Sequence, residues 1–567
     1  MLRSVSGMVS LTGVVALALT GCAPKPSAFE QATEDFVYSA LALSPVSATA
    51  AGYHQHQGIH LDDLLDDYSP EGLARQRGFL TGTRDRLRSF PLDTLSPEER
   101  ADYQIIDDQI SLSLLELDSI QNYRHNPTVY VELIGNALFN PYVLNYAPKA
   151  ERFRSIVRRM QAIPQLLEQA KTNLTDAPEV WNRVAREENQ GNISLIDETL
   201  RGEVPADVRP DFDHAAGPTL DALRAFNTWL EGTLSQKTSD WRLGKDRYAL
   251  KFRYTLASGR TPEQVLAEAE AQLKATREEM TKLAAPKTVR EALDAIAQQH
   301  ATPATYFKEA KQDLERARQF VEARGLVPLP SGETLQVIPT PEFMRGGYGV
   351  GGFSPAPALE PQLGAFYWIT PIPKNASKES AESRLREYNT YGLEHLTIHE
   401  AMPGHWVQFE YANRIQPTGR RLLRALFGNG PYVEGWAVYA QQFMTEEGYR
   451  DGEPGMKLTL EKQMLRVLAN TILDIRLQTM GMTDQQALDL MNNDTFQEKE
   501  EATGKLQRAQ LSSCQLPMYF LGVSGWNRVR DDDRKRLGAA FQLANFHKRA
   551  LEEGAVPLPV LDTLLHP

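Results

Sequence analysis

The sequence predicts a mainly helical protein with two lobes, a cleft between them and a small β element. Three observations lead there. The chain has 567 residues, 42% hydrophobic and 24% charged, which is globular composition at a length beyond one small domain. A helix-opening grammar recurs along it, Ser or Thr followed three residues later by Glu or Gln. Runs that alternate like a half-buried strand are few. Lys and Arg number 61 against 73 Asp and Glu, a net charge of −12, so no basic surplus points to nucleic acid.

Residues 1–21 read as a signal peptide. Arg3 is the positive start, and residues 8–19 form an apolar stretch too short to span a bilayer. The segment Leu19-Thr20-Gly21-Cys22 resembles a bacterial lipobox, in which the chain is cut before the cysteine and the thiol carries lipid. Ala23 follows instead of Asp, which by Gram-negative sorting rules implies the outer membrane, facing the periplasm. Residues 22–30 are then a lipidated tether and Cys22 the membrane contact. A plain secretory signal is the alternative. Cys514 is the one other thiol, without a partner for an internal disulfide, and is expected to be buried and inert.

An N-terminal helical lobe is expected over 31–215 and a catalytic lobe over 216–567, divided near the polar, Pro-containing stretch 203–218. Ser96-Pro97-Glu98-Glu99 opens a long helix, with Pro where a helix tolerates it. Thr261-Pro262-Glu263-Gln264 does the same, and Thr483-Asp484-Gln485-Gln486 opens another. Residues 150–175, 285–325, 383–402 and 455–480 also carry helical periodicity. The strand candidates are 248–256, 335–340 and 364–373. The Gly- and Pro-rich region 326–378 reads either as a surface loop or as backbone that another chain can approach closely. On the second reading, 346–353 pairs with a bound peptide as an added strand.

The segment His399-Glu400-Ala401-Met402-Pro403-Gly404-His405 carries the most chemistry. The familiar zinc pattern places two His four apart on one helix, with Glu after the first. Here the second His is six apart, about 120° off the face of the first in an unbroken helix. Pro403 and Gly404 permit a break that would return His405 to that face. The bland reading is a helix end with two ordinary histidines. Glu434, opening a further helix in Tyr432-Val433-Glu434-Gly435-Trp436, offers the third ligand of a His2Glu site.

HEAMPGHWVQ together with VEGWAVYAQQFMTEEG resembles the bacterial family once labelled domain of unknown function 885, with its HExxPGHxxQ and EGWAxYxE motifs. That family is placed with gluzincin metallopeptidases, largely helical enzymes with a deep central channel. The likeness continues through Gly481–Ala487 and Gln515–Gly522. It implies that His399, His405 and Glu434 bind one Zn2+ per chain, that Glu400 is the general base, and that Tyr519 stabilises the oxyanion. His395, one turn before His399, would contact substrate or, more in keeping with its place, support the site. Gln441, Gln478 and Ser513-Cys514 depart from the family pattern without removing a ligand. The expected function is a membrane-anchored zinc metallopeptidase acting on short peptides. The alternatives are a non-catalytic lipoprotein binding peptides or partners, and a zinc hydrolase of a non-peptide amide or ester.

Overall fold

The computed structural model describes residues 27–331, 335–340, 345, 350–373 and 376–566. Cys22 and the signal segment lie outside them, as do Gly346–Gly349 of the Gly-rich stretch. The described residues are mainly helical. None of their helices is long and apolar enough to cross a membrane.

The capping grammar is realised where it was read. Ser96, Thr261 and Thr483 each accept a hydrogen bond from the backbone N–H three residues on, while Glu99, Gln264 and Gln486 reach back to the cap. Residues 150–175 and 455–480 correspond to helices Lys149–Asn173 and Pro454–Thr479. The other two long predictions each divide. Residues 285–325 become Val289–Ala297 and Tyr306–Arg324. Residues 383–402 become Lys378–Glu387 and Thr390–Glu400, because the Asn389 side chain accepts from Tyr391 and Gly392 N–H and starts a new helix.

One strand prediction fails. Residues 248–256 lie in helix Gly244–Leu256. Tyr248, Leu250, Phe252, Tyr254 and Leu256 alternate like a strand, but Tyr248, Phe252 and Leu256 are also four apart and are the buried face. Leu250, which a strand would bury with them, is 43% exposed. The other two strand predictions hold as Leu335–Pro339 and Ala365–Ile369. The latter is the fully buried middle of a three-stranded sheet. It runs parallel to Leu335–Pro339 and antiparallel to Gly351–Ser354, with Tyr367 opposite both Val337 and Phe353.

Packing does not change at 215/216. Helix Arg209–Gly232 runs through that point, with Pro210 in its first turn and Pro218 inside it, so these prolines do not mark a linker. One hydrophobic cluster joins residues between Tyr130 and Leu234. A larger one joins Phe29–Ile120 with Leu243–Leu565. The buried Asp102 fastens the two parts of the larger cluster, accepting from Arg424 at 2.8 Å and Arg420 at 2.7 Å.

Candidate metal centre

Helix Thr390–Glu400 ends one residue after His399, and a new helix begins at His405. The turn between them is tightly specified. Met402 N–H donates to Thr397 O and Gly404 N–H to Ile398 O, so the chain folds back over the helix it has left. The Met402–Pro403 peptide is cis. A Cβ on residue 404 would overlap the carbonyl oxygens of His399 and Ile398, so only glycine fits. The Trp436 indole N–H closes the arrangement, donating to Pro403 O at 2.9 Å and Gly404 O at 3.2 Å. This turn supplies the rotation an unbroken helix lacks. The His399 and His405 rings stand 4.9 Å apart, nearly perpendicular.

Glu434 arrives from helix Gly430–Glu446, which Asn429 caps. That helix crosses Pro517–Leu537 at Gly435 and Gly522, where a Cβ on either would strike the other's backbone. The close crossing brings Glu434 and Tyr519 to one place. Nε2 of His399 and Nε2 of His405 each lie 3.6 Å from Glu434 Oε2. That is too long for a hydrogen bond. It is close to the separation of donors sharing one ion, since two ligands about 2.05 Å from a tetrahedral zinc stand about 3.4 Å apart.

The donor set passes a second test of fit. Glu434 Oε2 is buried and has no hydrogen-bond partner among the described residues, an arrangement that calls for an ion or water. Burial alone would raise the Glu434 carboxyl, but the two imidazoles reverse this and hold it well below the usual carboxylate range. Burial alone would lower His405, and the Glu434 carboxylate raises it instead. His399, His405 and Glu434 form the one cluster of three such donors among the described residues. Solvent still reaches it, with side-chain exposures of 14% for His399 and 22% for Glu434.

Glu400 is half-buried at the end of the His399 helix and no hydrogen bond engages its carboxylate among the described residues. The Tyr519 ring lies 6.3 Å from that of His399, at 27°. Its hydroxyl accepts from Arg508 Nη2 at 3.2 Å and Gln515 Nε2 at 3.4 Å, so its own proton is free to be donated elsewhere. Burial first and then the Glu434 charge push its pKa up, so it stays a donor. His395 is fully buried outside this cluster, with Nε2 3.3 Å from Met456 O. Burial pushes its pKa down to about 4.

The departures from the family pattern have local work. Gln441 Nε2 donates to His395 O at 2.8 Å, holding the backbone one turn before His399. Gln478 accepts from Leu243 N–H and donates to Ser512 O. Cys514 is buried, its N–H donates to Asp474, and burial pushes its thiol well up, as expected of an inert cysteine. Sequence reasoning missed three neighbours of the site: Trp436, Arg508 and Phe353, whose ring lies 6.1 Å from that of His405. Only Trp436 carried a signal, two residues after Glu434.

Gly404→Ala should lower stability by about 1–3 kcal/mol, the cost of forcing a methyl into filled space. It should also weaken metal binding, because the strain falls on the His399 carbonyl. Calorimetric unfolding with metal analysis checks this; an unchanged Tm and metal content would sink the argument.

The chain matches the bacterial family described as protein of unknown function DUF885 over residues 45–565. It is similar in structure to a candidate lipoprotein of unknown function from Shewanella oneidensis. The two are 30% identical, the match covers 96% of this chain and 100% of that one, and the TM-score is 0.80. It shares its fold with a candidate lipoprotein from Colwellia psychrerythraea, 18% identical, covering 94% and 97% of the two chains with a TM-score of 0.78. No curated protein matches it.

Proposed function

The chain belongs to the bacterial family DUF885, and we propose that it is a zinc-dependent metallopeptidase, lipid-anchored through Cys22 and hydrolysing short peptides. The observation that carries this reading is the convergence of His399, His405 and Glu434 on one point, with Glu400 adjacent in sequence and a tyrosine hydroxyl free to donate nearby. Two imidazoles and one carboxylate suit zinc. When bound, zinc would polarise a carbonyl and acidify water.

The protein's own groups account for the rest. Glu400 accepts the proton of the attacking water and returns it to the departing amine nitrogen. Tyr519 donates its hydroxyl proton to the oxygen on which negative charge develops. Arg508 and Gln515 orient that hydroxyl by donating to its oxygen. Trp436 and Gly404 keep His405 in register with His399. Strand Gly351–Ser354 beside His405 has no strand on its outer edge among the described residues, which supports pairing with an extended peptide. A cleft between lobes would favour short, unfolded substrates. The lipobox at Cys22 and the candidate lipoproteins it resembles support the anchor, and Ala23 supports the outer membrane facing the periplasm.

The test is hydrolysis of a panel of short peptides and matched esters by zinc-loaded protein. Turnover of peptides, abolished by chelation and restored by zinc, supports the reading; turnover of esters alone reassigns the reaction. Tyr519→Phe should lower kcat by about 10²–10³-fold, the scale of one lost oxyanion donor, with zinc content unchanged. A kcat within twofold of wild type would remove Tyr519 from the chemistry.

A further inference from the structure

Beside the metal centre one helix carries two cations that no carboxylate engages at hydrogen-bond length among the described residues. Helix Lys499–Leu511 carries Glu501, Lys505 and Arg508 at spacings of four and three, so the three share one face. Glu501 is already committed. It accepts from Arg466 and from the Tyr388 hydroxyl. Lys505 stands 3.9 Å from it, beyond hydrogen-bond length, with its side chain only 6% exposed. The Arg508 guanidinium has one hydrogen bond among the described residues, to the Tyr519 hydroxyl, and the residue as a whole is exposed.

Arg466 and Lys505 therefore share Glu501, while Arg508 stands apart from it against the Tyr519 hydroxyl. Both Lys505 and Arg508 feel the charge of Glu434. A buried ammonium whose nearest carboxylate lies beyond hydrogen-bond length is unfavourable. Burial, and then Arg466, push Lys505 down to about 7. A ligand carboxylate placed here would meet a guanidinium suited to forked binding, with Lys505 one turn back on the same helix. Tyr519 links the two places. Its ring faces His399, and its hydroxyl touches Arg508. An anion on Arg508 is thus within a few residues of extended chain of the metal ligands.

We propose that Arg508 and Lys505 bind the free C-terminal carboxylate of the peptide, so that cleavage falls close to the substrate's C-terminus. This rests on the peptidase reading and narrows it to one end of the chain.

The experiment measures binding separately from turnover. Short N-acetylated peptides ending in a free carboxylate are titrated calorimetrically into zinc-loaded wild type and into Glu400→Gln, against the same peptides ending in an amide. A third peptide ends in a glutamate amide, carrying its carboxylate on the side chain. The free acid should bind about tenfold or more tightly than the amide, the scale of one charge-assisted forked pair. Arg508→Gln should bring the two within about twofold, and Lys505→Met should act in the same direction. Arg508 is exposed, so its variant should melt like wild type.

Equal binding of acid and amide overturns the proposal, as does tighter binding of the glutamate amide than of the free acid. An acid preference that survives both substitutions also overturns it. The two readings fail separately. Acid-selective binding lost in Arg508→Gln, with no peptide turned over by zinc-loaded wild type, upholds this site and sinks the peptidase. Turnover of acid and amide at equal kcat/KM does the reverse.

Discussion

Alanine at His405 should leave the protein without its zinc. Wild type lacking residues 1–22 is expected to hold about one zinc per chain, the content of a His2Glu set that leaves the fourth position open. The variant should hold less than about a tenth of that after dialysis, since two donors remain where three are needed. The loss should be specific. The turn before residue 405 is fixed by Gly404 N–H on Ile398 O and by Trp436 on the 403 and 404 carbonyls, and none of these bonds uses the imidazole. The helical signal in circular dichroism should therefore persist. What disappears is the extra stability that zinc confers on the native state by mass action, so added zinc should raise the Tm of wild type and not of the variant. Mass spectrometry of metal content decides between three outcomes. Zinc in the wild type and not the variant supports the ligand set. Zinc in both means that another group replaces His405. Zinc in neither, even after reconstitution, favours a lipoprotein that binds without catalysis.

What the sequence revealed about this site, and what it hid, follows from the range of the forces involved. Capping boxes at Ser96, Thr261 and Thr483 were legible because every partner lies within three residues. His399, Glu400 and Glu434 were legible through their motifs. The place of His405 was not decidable from spacing, because rotation along a helix argues against it and only the turn at 401–404 reverses the argument. That turn depends on Trp436, more than thirty residues away, and on the absence of a Cβ at 404. Arg508 was illegible for the same reason. Its chemistry comes from meeting Tyr519 across the start of another helix, and nothing in the run Lys505-Leu506-Gln507-Arg508 announces that meeting. The misread strand at 248–256 shows the opposite failure. A local pattern there satisfied two periods at once, and the fold chose the one that buries Tyr248, Phe252 and Leu256. The prolines at 210 and 218 mark no break, because the first turn of a helix accepts one and a long packed helix tolerates the other.

Glu400→Gln should separate metal binding from chemistry. The substitution keeps the size and polarity of the side chain and removes its capacity to take up a proton. Glu400 is not one of the three converging donors, and among the described residues no hydrogen bond holds it in a structural network. Zinc content and Tm should therefore match wild type. Peptide turnover should fall by about 10²–10⁴-fold in kcat, the range for loss of a general base, with KM within about threefold. The contrast with His405→Ala is the useful quantity. One variant loses metal and activity together, the other loses activity with metal in place, and only a base adjacent to a metal site gives that pair of results. Loss of zinc in Glu400→Gln would make Glu400 a ligand and displace Glu434 from that role. Retained turnover would move the base elsewhere. The half-buried Glu400 at the end of the His399 helix lies outside the three converging donors and has no hydrogen bond to its carboxylate among the described residues, and that freedom is what a proton carrier requires.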